Sequence, residues 1–571
     1  MTTVGLEKPA AGSLAHPAGV RLGRRWIVAG ALTASIVTIT RWWISRGRDE
    51  FSIWPDEPAQ LAMARFLGGG VPWTMHDHST WQPGYATLLA PVHWFTDDPV
   101  TVLHAALALN AVLGGAAAWL IVLLVRRLTP LGPPAGAAVA AIVALAPAAL
   151  FTTVFVWSES LVAVFFLATV LALLRFADSP TIGRGVLAGA GAALAFGTHS
   201  RMLPLAVVTI GVAVVAAARR ETGPGTAGTV VLATVAAMVA VKLYTGFVVD
   251  RLWDEPSTTN SLRGAFDHLI DAPHTTVLAL VGQAWYVLVS TVGVAVYGAV
   301  ELARSARDRH AGTARRDAVL VLVIAACCVA PSVLFMANRF RPDQIVYGRY
   351  NDVVIVPILV VGLGFLLTSP ATRRTVTALS ASIVGSIACA VALSIWRRGA
   401  LGSGSGIEPM ILGLQSLSSS TTSIDVVRIT TLSALVSVGV AAAAIGARRI
   451  SQPALLIGAL AVVLVVANVR TAHLIADQWN GRGDLSDVAR LGDDELSGGA
   501  AVEFLLPDGV SSDRLMMYQL YLPDIRFTVV EDLDDSGQTP FIFAPTDDPA
   551  LSESGTVVWR DPYVDFGLWR R

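Results

Sequence analysis

Apolar residues run in long stretches from Trp26 to Val469, and polar residues gather in the gaps between them. A helix needs roughly 20 mostly apolar residues to cross a bilayer. By that ruler the pattern predicts about thirteen spans, the first four near Trp26–Ser45, Val100–Val125, Gly136–Val156 and Ser160–Arg175. The next four lie near Gly185–Gly197, Leu203–Ala218, Thr229–Val249 and Val277–Val300. The last five lie near Val319–Ala337, Val353–Thr368, Val376–Trp396, Ile429–Ala447 and Pro453–Val469. After 470 the period changes. Short apolar runs, Val502–Leu506, Phe527–Val530, Phe541–Phe543 and Val557–Trp559, alternate with turn residues and predict a small α/β unit over 471–571.

Composition agrees with this reading. Of 571 residues 54% are hydrophobic and 15% charged, against about 25% charged in soluble proteins, and the mean hydropathy is +0.61. A soluble enzyme and a disordered chain are both excluded. The net charge of -1 hides an asymmetry. From Thr471 onward there are 19 acidic and 7 basic residues, which leaves 23 acidic and 34 basic residues before it. In the membrane body arginines fall on every second connection, as in Arg126–Arg127, Arg219–Arg220, Arg373–Arg374 and Arg448–Arg449, with Arg21, Arg24 and Arg25 on the same side. That side is the cytoplasm by the positive-inside rule. Residues 1–25 are then a cytoplasmic segment and 26–470 the membrane body. With an odd number of spans, the acidic tail 471–571 lies outside the cell. The first apolar run reaches Trp42 and Trp43 with no small-residue cleavage site, so it reads as a retained membrane helix rather than a signal peptide.

Cys327, Cys328 and Cys389 sit in apolar runs with no C-x-x-C, so a zinc or disulfide framework is not expected. No phosphate-binding glycine motif occurs in the inner loops, which argues against an ATP-driven pump; no nucleic-acid partner is expected either.

Polar chemistry gathers on the outer side. The large first loop, 46–98, opens with Trp54-Pro55-Asp56-Glu57-Pro58 and continues from Gln60 to Leu67 with helical spacing, as if lying along the membrane surface. An acid held between prolines beside a tryptophan suits a general base. Adjacent carboxylates point in different directions, so Asp56 or Glu57, not both, would face a substrate. A helix N-cap is the structural alternative for the pair. His76 and His78 flank Asp77 and, with Asp56 or Glu57, would suit a divalent metal, although solvated loop histidines have the same spacing. Gln82 lies in Trp81-Gln82-Pro83-Gly84-Tyr85, which leads into a short apolar helix.

An outer Asp-Glu pair after the first span, an amphipathic helix and a Pro-Gly-Tyr segment entering Leu88-Leu89-Ala90-Pro91 resemble the GT-C superfamily of membrane glycosyltransferases, over roughly the first 470 residues. The resemblance implies a mainly α, polytopic bundle and inverting transfer of a sugar from a polyprenyl-phosphate donor. The acceptor would be an extracytoplasmic glycan, glycolipid or protein, at the bilayer's outer face and in cell-wall construction. It places the catalytic acid at Asp56 or Glu57, with Asp56 preferred. Other outer residues fit the same reading as substrate contacts. Glu159 follows Trp157-Ser158 at a membrane boundary, where a carboxylate is costly. His199 and Arg201 lie in a turn resembling the basic turn of these enzymes. Gln283 and Trp285 lie in Gly282-Gln283-Ala284-Trp285-Tyr286, for which an interfacial aromatic belt is the alternative. Tyr347, Arg349 and Tyr350 form a late outer-loop motif. Arginine matches phosphate bidentately, so Arg349 is expected at the donor phosphate, with Arg339 and Arg341 in looser support. No cofactor is required, though a divalent metal is compatible with the chemistry. The rival reading is a lipid or solute transporter or flippase, but the chain lacks the internal repeat such proteins commonly carry.

Overall fold

The computed structural model describes residues 23–51, 56–70, 72–75, 80–253, 262–337, 342–368, 372–396, 411–418, 424–447, 453–479, 486–496, 501–506, 512–533 and 539–571. The chain is mainly helical. Helix α1 (Arg24–Ser45) leads into the first loop, which carries α2 (Asp56–Leu67) and α3 (Gly84–Leu89). Then come α4 (Pro99–Leu128), α5 (Pro133–Ala144), α6 (Pro147–Phe151), α7 (Glu159–Asp178), α8 (Ile182–Thr198), α9 (Leu203–Ala218) and α10 (Pro224–Leu252). Prolines at the first turns of α4, α5, α6 and α10 start these helices where no backbone donor is lost. The side chain of Asp98 caps α4 by accepting from Thr101 N at 2.8 Å.

The second half holds α11 (Leu262–Asp271), α12 (Pro273–Ser290), α13 (Val294–Arg307), α14 (Gly312–Met336), α15 (Pro342–Ile345), α16 (Val356–Thr368), α17 (Thr372–Trp396), α18 (Val426–Ala447) and α19 (Pro453–Trp479). Among the described residues eight helices are long and apolar enough to cross a membrane, or up to ten if two bent pairs each count as one span. The chain is a membrane protein. Each of the thirteen predicted stretches falls on helix, but not always on one straight rod. The stretch Gly136–Val156 breaks between α5 and α6 with a bend of 61°. The stretch Val277–Val300 breaks more sharply, because α12 and α13 meet at 103°. Thr291 to Gly293 make that corner, with Val292 at φ 44 and Gly293 at φ 81, a region open to glycine and costly for valine. The final helix runs on to Trp479, past the expected boundary at 470.

Small residues let these helices touch backbone to backbone. At the crossing of α13 with α16, a methyl on Gly298 would sit 2.1 Å from the Ile358 carbonyl oxygen, and one on Gly362 would sit 2.3 Å from that of Val294. At the α1 N-terminal end of the bundle, Arg127 forks onto both Asp178 (2.6 and 2.7 Å) and Asp317 (2.6 and 2.8 Å), tying α4, α7 and α14.

The tail adds α20 (Ser486–Asp494), β1 (Ala501–Leu505), α21 (Asp513–Tyr521), β2 (Arg526–Val530), β3 (Phe541–Pro545), α22 (Pro549–Ser554), β4 (Thr556–Arg560) and β5 (Phe566–Arg570). The sheet order is β2-β1-β3-β5-β4, parallel across the first three strands and antiparallel across the last three. The four expected strands are present, and β5 is a fifth. This unit is not a free appendage. Val502, Phe504, Leu515, Tyr518 and Phe543 share one core with Leu61, Met63, Trp73 and Tyr85 of the first loop. Thr74 N donates to Gln519 Oε1 at 2.9 Å while Gln519 Nε2 donates to Thr74 O at 3.0 Å, and Trp73 Nε1 donates to Pro523 O at 3.2 Å. The tail therefore stands on the same side of the bundle as the first loop, opposite the start of α1.

That packing corrects the picture of α2. Its face is not left open to solvent or headgroups; Glu57 through Arg65 are all buried, with the tail packed over them.

The α13–α16 crossing gives a first prediction. Gly298→Ala should cost about 1–3 kcal/mol from overpacking and lower the unfolding midpoint of the detergent-purified protein. Gly246→Ala, whose methyl meets nothing within 4 Å, should leave it unchanged or slightly raised. Equal midpoints for the two variants would contradict the close crossing.

Candidate active site

The C-terminal end of α1, the N-terminus of α2, the start of α7, the turn between α8 and α9, and the segment between α15 and α16 meet at one place. The two neighbouring acids are split by helix geometry, as their adjacency requires. Glu57 points inward. Arg48 holds it with two hydrogen bonds, at 2.8 and 2.6 Å, and Val156 N donates to it at 2.8 Å. Its side chain is 0% exposed. Asp56 remains 24% exposed. Trp81 Nε1 donates to its Oδ1 at 2.7 Å, and Arg349 donates to its Oδ2 at 2.9 Å.

Arg349 is the hub. Its side chain is 4% exposed, lies over the Trp157 ring at 4.0 Å, and donates through Nε to Glu159 Oε1 at 2.7 Å. Arg201 reaches the same Glu159 oxygen at 3.3 Å and lies over the Tyr350 ring at 4.6 Å. Tyr350 meets His199 edge-on at 5.2 Å and Tyr347 at 4.5 Å. Two carboxylates and two guanidiniums thus alternate as Asp56–Arg349–Glu159–Arg201, with aromatic rings around the cations. Buried charges persist when they are paired and hydrogen-bonded in this way. Burial, and next the charge of Arg201, hold His199 well below the usual imidazole range, so its ring is neutral at neutral pH.

Gln283 stands one layer behind. Its Oε1 accepts from Asn351 Nδ2 at 2.9 Å and from Ser332 Oγ at 3.0 Å, which fixes the 347–352 segment from α12 and α14. Trp285 is buried away from the cluster, donating to Thr430 Oγ1 at 2.9 Å. Gln82 accepts from Thr245 Oγ1 at 2.9 Å and so braces the segment that carries Trp81. His76, His78, Arg339 and Arg341 lie outside the described residues. Among the described residues no group of three or more His, Cys, Asp or Glu side chains is placed to hold a metal ion.

Several participants are not singled out by the sequence pattern. Arg48 and Trp81 flank the acid pair in the chain, but their bonds depend on how the loop folds back. Asp352 accepts from Tyr286 Oη at 2.9 and 3.0 Å, and Gly413 N donates to the same hydroxyl at 2.8 Å. Burial pushes the Asp352 carboxyl up to about 7. Gly348 permits this arrangement, since a methyl there would fall 1.8 Å from the Tyr286 ring.

Comparison with solved structures decides the architecture. ArnT from Cupriavidus metallidurans, bound to undecaprenyl phosphate, aligns over 95% of this chain and 97% of its own, with a TM-score of 0.54 and 15% identity. The fold is GT-C-like. The apo form of the same ArnT gives a TM-score of 0.53 at 15% identity, again over 95% and 97% of the two chains. Arabinosyltransferase EmbB from Mycobacterium smegmatis aligns at a TM-score of 0.46 and 16% identity, over 84% of this chain and 44% of its own. No family model matches the sequence, and no curated protein matches it. The GT-C-like resemblance, expected over roughly the first 470 residues, thus extends as a fold into the tail.

Two predictions follow from the site. Glu57→Ala leaves Arg48 buried and unpaired and should cost about 3–5 kcal/mol, read as a large fall in the unfolding midpoint. Asp56→Asn should move that midpoint far less, and similar falls would contradict the division of labour between the two acids. Asp352 gives a pH dependence. In the folded chain it keeps its proton where the unfolded chain, with an ordinary value of 3.8, has lost it. Its stabilising contribution is therefore full below pH 3.8 and is lost as pH rises through about 7. Asp352→Asn should flatten that part of the midpoint-against-pH curve; parallel curves for wild type and variant would overturn the assignment.

Proposed function

We propose that the protein is an integral membrane glycosyltransferase. It would move a sugar from a polyprenyl-phosphate donor to an extracytoplasmic acceptor hydroxyl, with inversion. The observation that carries this reading is the partly open Asp56 carboxylate, tied directly to a buried arginine cluster within a GT-C-like fold. The arginine-bearing connections and the shared side of first loop and tail support a cytoplasmic N-terminus, thirteen spans and an extracytoplasmic site. Outside the cytoplasm an activated sugar must arrive on a lipid. The neighbour solved with undecaprenyl phosphate supports an isoprenoid carrier.

In the proposed reaction the acceptor oxygen attacks the anomeric carbon while the bond from that carbon to the phosphate oxygen breaks. Asp56 takes the hydroxyl proton as general base. The polyprenyl phosphate leaves with the bonding electrons. Arg349 and Arg201, already fixed by Glu159 and stacked on Trp157 and Tyr350, stabilise the charge that develops there. Neutral His199 and Tyr347 complete the polar wall. Glu57 acts at one remove from the chemistry. Locked onto Arg48, it sets the direction of α2 and hence of Asp56. The reaction needs no cofactor; a divalent ion would add electrophilic assistance at the phosphate.

Purified protein in detergent should transfer sugar from a polyprenyl-phosphate donor, since transfer needs no second compartment. Asp56→Asn should lower kcat by about a hundred- to ten-thousand-fold, and retained turnover would remove Asp56 from the base role. Arg349→Ala should raise the donor KM more than the acceptor KM; an unchanged donor KM would refute the phosphate assignment.

A further inference from the structure

Behind the ion cluster lies a partly enclosed cavity. One part of its wall is polar, with the cations Arg41, Arg201 and Arg349, the hydroxyls of Thr152 and Ser160, and the carboxyls of Glu159 and Asp352; Glu159 is paired with two of the arginines and Asp352 with Tyr286. The rest is mainly small and aliphatic, from Ala117 and Ile121 on α4, Val143 and Ala144 on α5, and Leu167 on α7. Of the three guanidiniums on this wall, Arg349 and Arg201 are already paired with Asp56 and Glu159. Arg41 differs. It sits in the last turn but one of α1, 4% exposed, and among the described residues it meets no carboxylate. One of its terminal nitrogens donates to the Ala149 carbonyl, while Nε is buried with no partner. Ser160 Oγ, on the same wall, is likewise buried and unpartnered. Room for the Arg41 side chain comes from Gly114 on α4, where a methyl would lie 2.3 Å from Arg41 Cδ and 2.5 Å from Nε.

An isolated cation inside a membrane protein is expensive unless an anion meets it. Here the anion would have hydrogen-bond donors on one side and an aliphatic slot beside it. We propose that Arg41, with Ser160, is the anchor for the phosphate of an isoprenoid phosphate lipid whose chain enters the aliphatic part of the cavity. This deepens, and rests on, the transferase reading above. It gives the phosphate a holder whose charge is not spent on the catalytic acids. Arg349 is then free to stay with Asp56 and Glu159 and to act on the bond that breaks.

Retention of lipids by the purified full-length protein tests this, with undecaprenyl phosphate, undecaprenol and phosphatidylglycerol offered in detergent and counted by native mass spectrometry. Wild type should retain undecaprenyl phosphate over undecaprenol by roughly thirty-fold or more, as expected for a buried charge pair. Arg41→Gln should lower that ratio by about tenfold, with the remainder held by Arg349 and Arg201, and Arg41→Lys should keep much of it. Gly114→Ala provides a second route, displacing the guanidinium without deleting it, and should also lower the ratio. It decides the matter if Arg41→Gln fails to fold. An undiminished ratio in either Arg41→Gln or Gly114→Ala overturns the role of Arg41 and leaves the transferase reading standing. Equal retention of phosphatidylglycerol overturns the isoprenoid assignment. A wild type that retains neither undecaprenyl lipid overturns the transferase reading itself.

Discussion

The bidentate grip of Arg349 on two carboxylates governs the arrangement of the site. One contact goes to Asp56 in the first loop and the other to Glu159 at the start of α7, so a single side chain joins segments 293 and 190 positions away from itself in sequence. Removed from water, such a charge demands full compensation, and the sequence supplies it: Trp157 under the guanidinium, Arg201 sharing Glu159, and Gln283 steadying the backbone that carries Arg349. Few positions in the cluster can change without stranding a buried charge.

The remainder of the molecule supports that junction. Helix α2 is anchored through Glu57, which is bonded to Arg48 and to the backbone at Val156. Helix α12, which ends at a sharp corner with α13, holds Gln283 and Tyr286 against the 347–352 segment. Far from the site, the Arg127 fork fixes α4, α7 and α14 at their other ends, which limits splaying of the bundle that lines the cavity.

Much of this is legible in the chain. Apolar runs locate the helices, and the adjacency of Asp56 and Glu57 implies that one acid alone faces outward. Glu159, Arg201 and Arg349 each stand out as charges at membrane boundaries, and they do converge. Their pairing is not readable, because it joins residues 42, 190 and 293 positions apart. Arg41 is inconspicuous inside an apolar run, since nothing in its neighbours reveals that Gly114 makes space for it. The burial of α2 is hidden for a related reason: its second covering comes from the tail, and local periodicity cannot announce a partner so distant. Likewise Val292 gives no warning of the corner it occupies, because a β-branched residue is an unexpected choice there.

The reciprocal bonds between Thr74 and Gln519 span 445 positions. Synthesis proceeds from the N-terminus, so the loop bearing Asp56 emerges well before the residues that cover it. Until then Trp73, Met63 and Leu61 lack the surface they pack against in the finished molecule. Synthesis of the sheet unit is thereby coupled to closure of the first-loop core, and a product that stopped before Gln519 would carry Asp56 on a loop whose apolar face is uncovered.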